Sequence, residues 1–523
     1  MVDQQLSAEQ VAAIRESYAF TEPAIDLGVL DNGGEPVTDT RIRIPLSMLT
    51  RHGLIAGATG TGKTITLQLL AESLSAAGVP VLAADVKGDL SGIALPGVAG
   101  DKLAARTAAN GQDWEPRASP AEFYALGGQG AGIPLRATVS AFGPLLLSKV
   151  LGLNDTQSST LALLFTYADK AALPLLDLAD LSELLAYLTS DEGKPELKGI
   201  GGVSTATTGV ILRKITELAA QGGDVFFGEP EFDTADLLRT DADGRGIVSV
   251  LELPNVQDRP ALFSTFLMWL LADLYHDLPE VGDVDRPRLV FFFDEAHLLF
   301  DGASKAFLDQ ITQTVRLVRS KGVGVFFITQ QPTDLPEPVL AQLGSRVQHQ
   351  LRAHTPNEAK ALKATVNTYP TSGYDLGKAL QGLGIGQAIV TVMNPDGAPT
   401  EVAWTRVFAP ASQMGAAPAE TIDQMVLASA LTPRYAQPVN RESAQEILAA
   451  KLAAGARAAQ AEAASAQPER PSRSGAAPRT AGGRGRQGKS VVEQVVESSA
   501  FKQFARSAGR EIVRSLFGTG RRK

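Results

Sequence analysis

Gly57-Ala58-Thr59-Gly60-Thr61-Gly62-Lys63-Thr64 is the stretch that decides the fold, a complete G-x-x-x-x-G-K-[ST] pattern. Glycines let the backbone curl until successive N–H groups point inward, and the following helix adds the positive end of its dipole. Such a loop cradles the phosphates of a nucleotide. Lys63 is placed to bridge the β- and γ-phosphates, and the Thr64 hydroxyl to ligate Mg²⁺. Ile65 completes the set of nucleotide-contacting positions, Gly57 to Ile65. A chance match to eight residues is expected in roughly a few chains per hundred from average residue usage. The setting makes chance a poor account: an apolar run, Leu54-Ile55-Ala56, enters the loop and a helical pattern, Ile65 to Leu74, leaves it.

Outward from the loop, strand-like runs alternate with helical periods. Val79 to Ala84, Ile247 to Leu253, Leu289 to Phe293, Val323 to Thr329 and Arg346 to Leu351 read as strands. The apolar stretch Ala261 to Leu271 reads as a buried helix too short to span a bilayer, and Ser304 to Arg319 as an amphipathic one. This alternation predicts an α/β fold, a RecA-like P-loop core with a mainly parallel sheet covered on both faces.

Leu289-Val290-Phe291-Phe292-Phe293-Asp294-Glu295 is the natural partner of the loop. The strand delivers Asp294 to the sheet edge, where a carboxylate can hold the Mg²⁺ shell. Glu295 then stands where a base can orient or deprotonate the attacking water. The plainer alternative for the pair is a helix N-cap. An adjacent catalytic glutamate marks ATPases, and the chain lacks the [NT]-K-x-D motif that reads guanine. Val323 to Thr329 ends in Thr329-Gln330-Gln331, so Gln330 is a candidate sensor of the γ-phosphate and the lytic water.

Arg316 and Arg319 fall on the helix after Asp294-Glu295, Arg319 beside its apolar stripe in the last turn. It is either a cation stabilising a helix C-terminus or a finger reaching a neighbouring subunit's γ-phosphate. Asp85-Val86-Lys87-Gly88-Asp89 follows the second strand of the core, and Asp85 is a candidate for positioning Mg²⁺, a water or the nucleotide; an ordinary charged turn is the alternative. His52, His276, His297, His349 and His354 show no metal-ligand spacing.

The remaining chain organises around this core. Residues 1–50 read as a short β-rich segment, and residues 51–100 with 245–410 as the ATPase core. Residues 101–244, rich in Leu and Ala at helical spacing, read as a mainly helical insertion. Pro395-Asp396-Gly397 between Gln387–Met393 and Val402–Val407 predicts a β-hairpin. Residues 411–451 read as a helical extension and 452–488 as a disordered linker, having almost no large apolar side chain to bury. In 489–523, Val492, Val495, Val496, Phe504, Ala508, Ile512 and Leu516 are interleaved with Arg506, Arg510 and Arg514, a basic amphipathic helix.

Net charge separates the same regions. Residues 451–523 hold 15 Lys and Arg against 5 Asp and Glu, whereas residues 1–450 hold 33 against 52. An acidic body is not the signature of a non-specific nucleic-acid binder; the basic tail either supplies such affinity or is simply a solvated end. Cysteine is absent, which excludes disulfides and cysteine-ligated metal centres. With no secretory signal and no transmembrane segment in the sequence, a cytoplasmic location is the expectation.

Arg51-His52-Gly53-Leu54-Ile55-Ala56 running into the P-loop resembles the bacterial HerA-like ATPase family of the FtsK–HerA superfamily. Similar to it also are Asp85-Val86-Lys87-Gly88-Asp89-Leu90-Ser91-Gly92, Phe293-Asp294-Glu295-Ala296-His297-Leu298 and Arg319-Ser320-Lys321-Gly322-Val323-Gly324-Val325. Thr329-Gln330-Gln331-Pro332 and Ala341-Gln342-Leu343-Gly344-Ser345-Arg346-Val347 continue the match, over about residues 20–410. The resemblance implies a ring hexamer hydrolysing ATP with Mg²⁺ at subunit interfaces, an arginine finger at Arg319, and motor action on double-stranded DNA. HerA proper carries an N-terminal β-barrel for its nuclease partner, whereas only about fifty residues precede the P-loop here. The competing expectations are an oligomeric ATPase acting on a protein or membrane-associated partner through the C-terminal helix, and a slow nucleotide-dependent switch.

Overall fold

Twelve strands carry the architecture, in a computed structural model that describes residues 5–199, 202–303 and 305–465. They are β1 (Ala24–Asn32), β2 (Glu35–Pro45), β3 (Gly53–Ala56), β4 (Val81–Asp85), β5 (Ala121–Leu126), β6 (Ile133–Leu135), β7 (Val248–Glu252), β8 (Leu289–Phe293), β9 (Val323–Thr329), β10 (Ser345–Gln348), β11 (Gln387–Thr391) and β12 (Ala403–Val407). They form one sheet in the order β2-β1-β12-β11-β10-β3-β9-β8-β4-β7-β5-β6. From β10 to β6 every neighbouring pair is parallel. From β2 to β10 every pair is antiparallel. The expected mainly parallel α/β core is thus present.

Burial explains why the central strands read as unbroken apolar runs. Every residue of β3, β4, β7, β8 and β9 is buried, as helices on both faces of a parallel sheet require. Ring contacts knit β8 to β9: Phe292 meets Phe326 at 5.3 Å and Phe293 stacks on Phe327 at 5.4 Å. The helix Pro260–Asp277 is apolar almost all round and buried from Leu262 to Leu274, as its lack of a polar face predicted.

The chain divides into two compact units. Of the described residues, those up to Arg136 with Pro230–Pro438 contain the whole sheet; Ala137–Glu229 with those from Val439 onward make up the other. Residues 101–244 are thus not helical throughout: β5 and β6 within them are strands that extend the sheet. Phe123 to Leu126 are fully buried, and burial on both faces removes the alternation that distinguishes a strand from a short helix. The β1–β2 hairpin likewise is not a separate segment: β1 pairs with β12 through Gly28↔Val407 to Leu30↔Thr405.

In the second unit the helices Asp155–Lys170, Leu178–Thr189 and Thr205–Ala220 start on side-chain caps from Asn154, Asp177 and Ser204. The helix Ala444–Ser465 overturns the start of the expected linker, since 452–465 are helical. Alanine has the best helix propensity, and the buried Ala444 and Leu448 anchor the first turn. Glu196 accepts hydrogen bonds from Tyr167, from Tyr187 (2.8 Å) and from Lys451 (2.8 Å), which ties this helix to its neighbours. The linker beyond Ser465 and the helix expected over 489–523 lie outside the described residues.

Candidate functional site

The phosphate loop leaves β3 pinned to both neighbouring strands. Gly57 N–H donates to the Thr329 carbonyl at 3.2 Å, and Ala58 N–H to that of Gln350 at 2.8 Å. Gly60 and Gly62 turn the chain at φ +79° and +118°, where a side chain would be strained. At Gly57 a Cβ would lie 2.5 Å from that of His349. The helix Lys63–Ala76 then starts with no side-chain cap and no acid in its first turn. Its first N–H groups are left for an anion.

Lys63 folds back into the loop, its Nζ donating to the Gly57 carbonyl at 2.6 Å and to that of Ala58 at 3.2 Å. Burial, and next the charge of Lys87, lower its pKa, while Glu295 and Asp294 act in the opposite sense. Thr61 Oγ1 donates to the Ala58 carbonyl at 2.8 Å; Thr59 and Gly60 are exposed at the crown, and Thr64 and Ile65 half-buried on the first turn. Below the loop, His349 holds Gln387 O (2.9 Å) through Nδ1 and Thr66 Oγ1 (2.9 Å) through Nε2. A carbonyl only accepts, so Nδ1 carries the proton and Nε2 accepts from Thr66. Burial pushes the His349 pKa down to about 4, keeping the ring neutral. His349 had shown no role in the sequence, because Thr66 and Gln387 reach it only through the fold.

The acidic pair arrives at the same end of β9. Ala296 N–H donates to the Ile328 carbonyl at 2.9 Å, one residue from the Thr329 carbonyl that holds Gly57. Loop and pair are therefore separated by two strand spacings, about 9.5 Å. Asp294 Oδ1 accepts from Glu295 N–H at 2.9 Å. Burial, then the neighbouring Glu295, push the Asp294 pKa up to about 7. Glu295 occupies left-handed backbone at φ +47°, a cost of about 1–2 kcal/mol for a non-glycine residue. Its Oε1 pairs with Lys87 Nζ at 2.9 Å. Its Oε2 is buried without a hydrogen bond, with His297 Nδ1 at 3.4 Å. A glycine-lined cradle, an ammonium inside it and a buried carboxylate oxygen without a hydrogen bond are what a Mg²⁺-bound triphosphate needs from a protein.

Asp85 belongs to the same sheet edge but is committed elsewhere. Its Oδ1 accepts from the N–H groups of Lys87, Gly88 and Asp89 (3.2, 2.7 and 3.3 Å) and its Oδ2 from Leu90 (2.7 Å). It shapes the turn that presents Lys87, a residue the sequence motif contained but whose partner it could not show. Glu252, opposite Asp85 in register, was also missed. Burial, then Asp85 and Asp89, push its pKa up to about 8, and its Oε1 is buried without a hydrogen bond. The available signal was its place as the last residue of an apolar strand, the same place as Asp85. No group of three or more His, Asp or Glu residues arranged to hold a metal occurs among the described residues. A cation here would rest on Thr64, Asp294 and the phosphates themselves, the usual manner of Mg²⁺.

Gln330 is exposed at the tip of β9, next to the residue that anchors the loop. Thr329 Oγ1 and Gln331 N–H both donate to Asp334 Oδ2, at 2.7 and 2.8 Å, which fixes the backbone on either side of it. Arg316 and Arg319 are at the opposite edge of the sheet. With Arg51 and Arg346 they line a cavity of about 450 Å³, and Arg319 pairs with Asp283 at 3.2 Å. The length of β9, roughly 20 Å, separates Arg319 from its own P-loop.

Solved structures share the fold. The bacterial conjugative coupling protein TrwBdeltaN70 superposes with a TM-score of 0.52 at 16% identity, covering 78% of this chain and 94% of that one. TrwB in complex with ADP and Mg²⁺ gives 0.51 at 17% identity, covering 78% and 95%. The shared feature is the fold. In sequence, the chain is 29% identical over 154 residues to a protein of Methanocaldococcus jannaschii named Probable helicase MJECL08, covering 27% of this chain and 28% of that protein's length. No helix among the described residues is long and apolar enough to cross a membrane. With the phosphate loop, the acidic pair and the strand between them assembled as above, the match to the family described as Helicase HerA-like C-terminal, over residues 32–523, makes this chain a member of that family.

Proposed function

We propose that this chain hydrolyses ATP with Mg²⁺ and, as a cytoplasmic ring hexamer, uses the cycle to move along or remodel double-stranded DNA. The observation that carries the hydrolytic part is the convergence of Gly57 and Asp294-Glu295 on the final residues of β9. The motor part rests on family membership.

Each residue then has a task. The N–H groups from Ala58 to Ile65 hold the phosphates, and Lys63 exchanges its loop carbonyls for β- and γ-phosphate oxygens. Thr64 and Asp294 would hold Mg²⁺, which shields phosphate charge and favours the leaving diphosphate. Water attacks the γ-phosphorus, the bond to the bridging oxygen breaks, and the water's proton passes to Glu295. Lys87 holds the Glu295 carboxylate in position through their ion pair. Gln330 aligns the water and reports the state of the γ-phosphate along β9.

Arg319, too far from its own loop, acts on the γ-phosphate of a neighbouring subunit, and Arg316 is the alternative finger from the same cavity. TrwB, the coupling protein with the similar fold, binds ADP with Mg²⁺ and non-hydrolysable analogues of both ATP and GTP, which supports a nucleoside phosphate as the ligand.

The test is the ATPase rate of the full chain, with and without long linear duplex DNA at low salt, beside its mass in Mg·ATP. Hydrolysis stimulated several-fold by DNA, with hexameric mass, supports the proposal. Hydrolysis indifferent to every form of DNA transfers the reading to a protein or membrane-associated partner recruited through residues 489–523, which the acidic charge of residues 1–450 favours. Negligible turnover despite tight ATP binding identifies a slow switch.

A further inference from the structure

The connection Gly384-Ile385-Gly386-Gln387 is a tight turn seated on the P-loop. Gln387 N–H donates to the Gly384 carbonyl at 3.0 Å, and the Gln387 side chain returns to accept from Gly384 N–H at 2.7 Å. Gly386 takes φ +72°, the conformation that the third position of such a turn leaves to glycine. Its N–H donates to the Thr61 carbonyl at 3.1 Å, and its own carbonyl accepts from Val407 N–H at 3.0 Å and Arg106 Nη2 at 2.9 Å. A Cβ on Gly62 would come within 3.4 Å of Gly386. The turn therefore moves with the phosphate loop.

On this rigid support Ile385 is 77% exposed. Single exposed aliphatic side chains are common on protein surfaces. Among the described residues, Val98, Leu427 and Ile385 are the most exposed large apolar side chains, and of the three only Ile385 has a neighbour hydrogen-bonded to the P-loop. Sheet order then says which end of a nucleotide it meets. The acidic pair follows β8, on the β9 side of β3, so the γ-phosphate points that way. The ribose and base must leave the loop on the other side, toward β10 and β11, where the turn sits.

We propose that Ile385 is the apolar seat for the base of the nucleoside triphosphate, held at a set distance from the phosphates by the Gly386–Thr61 hydrogen bond. This rests on the nucleotide-binding reading and adds to it a residue that sets affinity through the base. An aliphatic side chain offers a flat base contact area without hydrogen-bond pairing, so it favours a nucleotide over bare polyphosphate and discriminates little between purines.

Calorimetric titration of the full chain with Mg·ATP and with Mg·tripolyphosphate tests it, with Ile385→Ala, Ile385→Leu and Lys63→Ala in parallel. Ile385→Ala should weaken ATP on the order of tenfold, the size expected for losing a partly buried aliphatic contact. It should leave tripolyphosphate unchanged, and Ile385→Leu should restore ATP affinity to within about twofold. Unchanged ATP affinity in Ile385→Ala overturns the assignment, also where the wild-type chain takes ATP but not tripolyphosphate. So does equal weakening of both ligands, or a change of oligomer mass in place of affinity, which would make Ile385 a subunit contact. Failure of the nucleotide reading itself has a different signature: the wild-type chain binds neither ligand, or Lys63→Ala binds both as well as wild type does.

Discussion

The two edges of the parallel sheet are built on opposite principles. At the P-loop edge charged groups are engaged, and Lys63 and Asp85 are buried as well: Lys63 on two carbonyls, Lys87 on Glu295, Asp85 on four N–H groups. At the other edge Arg51, Arg316, Arg319 and Arg346 line an open cavity, and the Asp283 that pairs with Arg319 is itself 89% exposed. One edge is pre-organised to hold an anion; the other offers cations with little to hold them. On the proposed reading, a single copy presents two half-sites about one strand length apart, and a complete centre would form where the cationic edge of one copy meets the P-loop edge of the next.

The largest expected effects are at the pre-organised edge. Glu295→Gln, which keeps shape but cannot accept the proton, should lower ATP turnover on the order of 10³-fold with binding retained, and Lys63→Ala should abolish both. Steady-state hydrolysis and equilibrium binding separate the two. Arg319→Ala should cost a similar 10²–10³-fold in turnover, and here the comparison itself is at stake. Mixing Arg319→Ala with Glu295→Gln subunits should recover part of the activity, because some interfaces then pair an intact Glu295 with an intact Arg319. Mixtures as inactive as the separate variants would place both residues in one subunit's site and break the two-edge picture.

A smaller effect follows from Glu252. Its carboxyl is raised from an ordinary 4.5 to about 8 in the fold, so the folded state prefers it neutral. That preference costs no stability below pH 4.5; the cost grows as pH rises toward 8 and is complete above it. Glu252→Gln should therefore melt a few degrees higher than wild type at pH 9 and equally at pH 4.5. Melting curves at the two pH values decide it. The smallest change is expected from Asp283→Ala, which removes an exposed ion pair of Arg319: about 1 °C or less in melting temperature. A larger loss would mean that the cationic edge is held in place after all.

How much was legible follows from the range of the interactions. The phosphate loop is eight consecutive residues whose conformation is dictated by their own glycines, so it could be read directly. The runs that became β8 and β9 were readable because burial on both faces makes them uniformly apolar. β5 and β6 were lost inside a Leu- and Ala-rich region for the same reason: with no alternation, a short buried run does not announce its geometry. The helix over 452–465 was lost because composition weighs what a segment can bury alone, not an anchor such as Leu448 at its start. Asp85 was singled out as a site residue, yet its oxygens serve the turn, while Lys87 two positions away carries the contact with Glu295.

From the sequence alone, the family and its nucleotide loop were already legible: Gly57–Thr64 has the pattern of a phosphate-binding loop, and Asp294-Glu295 after an apolar strand is the partner expected beside it in an ATPase. Those are local statements, in which neighbouring residues constrain one another's backbone. The tertiary structure alone decided who meets whom: Lys87 with Glu295, His349 beneath Thr66, Gly386 on Thr61, and Arg319 a strand's length from the P-loop of its own chain. Such pairings depend on strand order, and strand order is set by how distant helices and strands share one core, which no short stretch of sequence encodes.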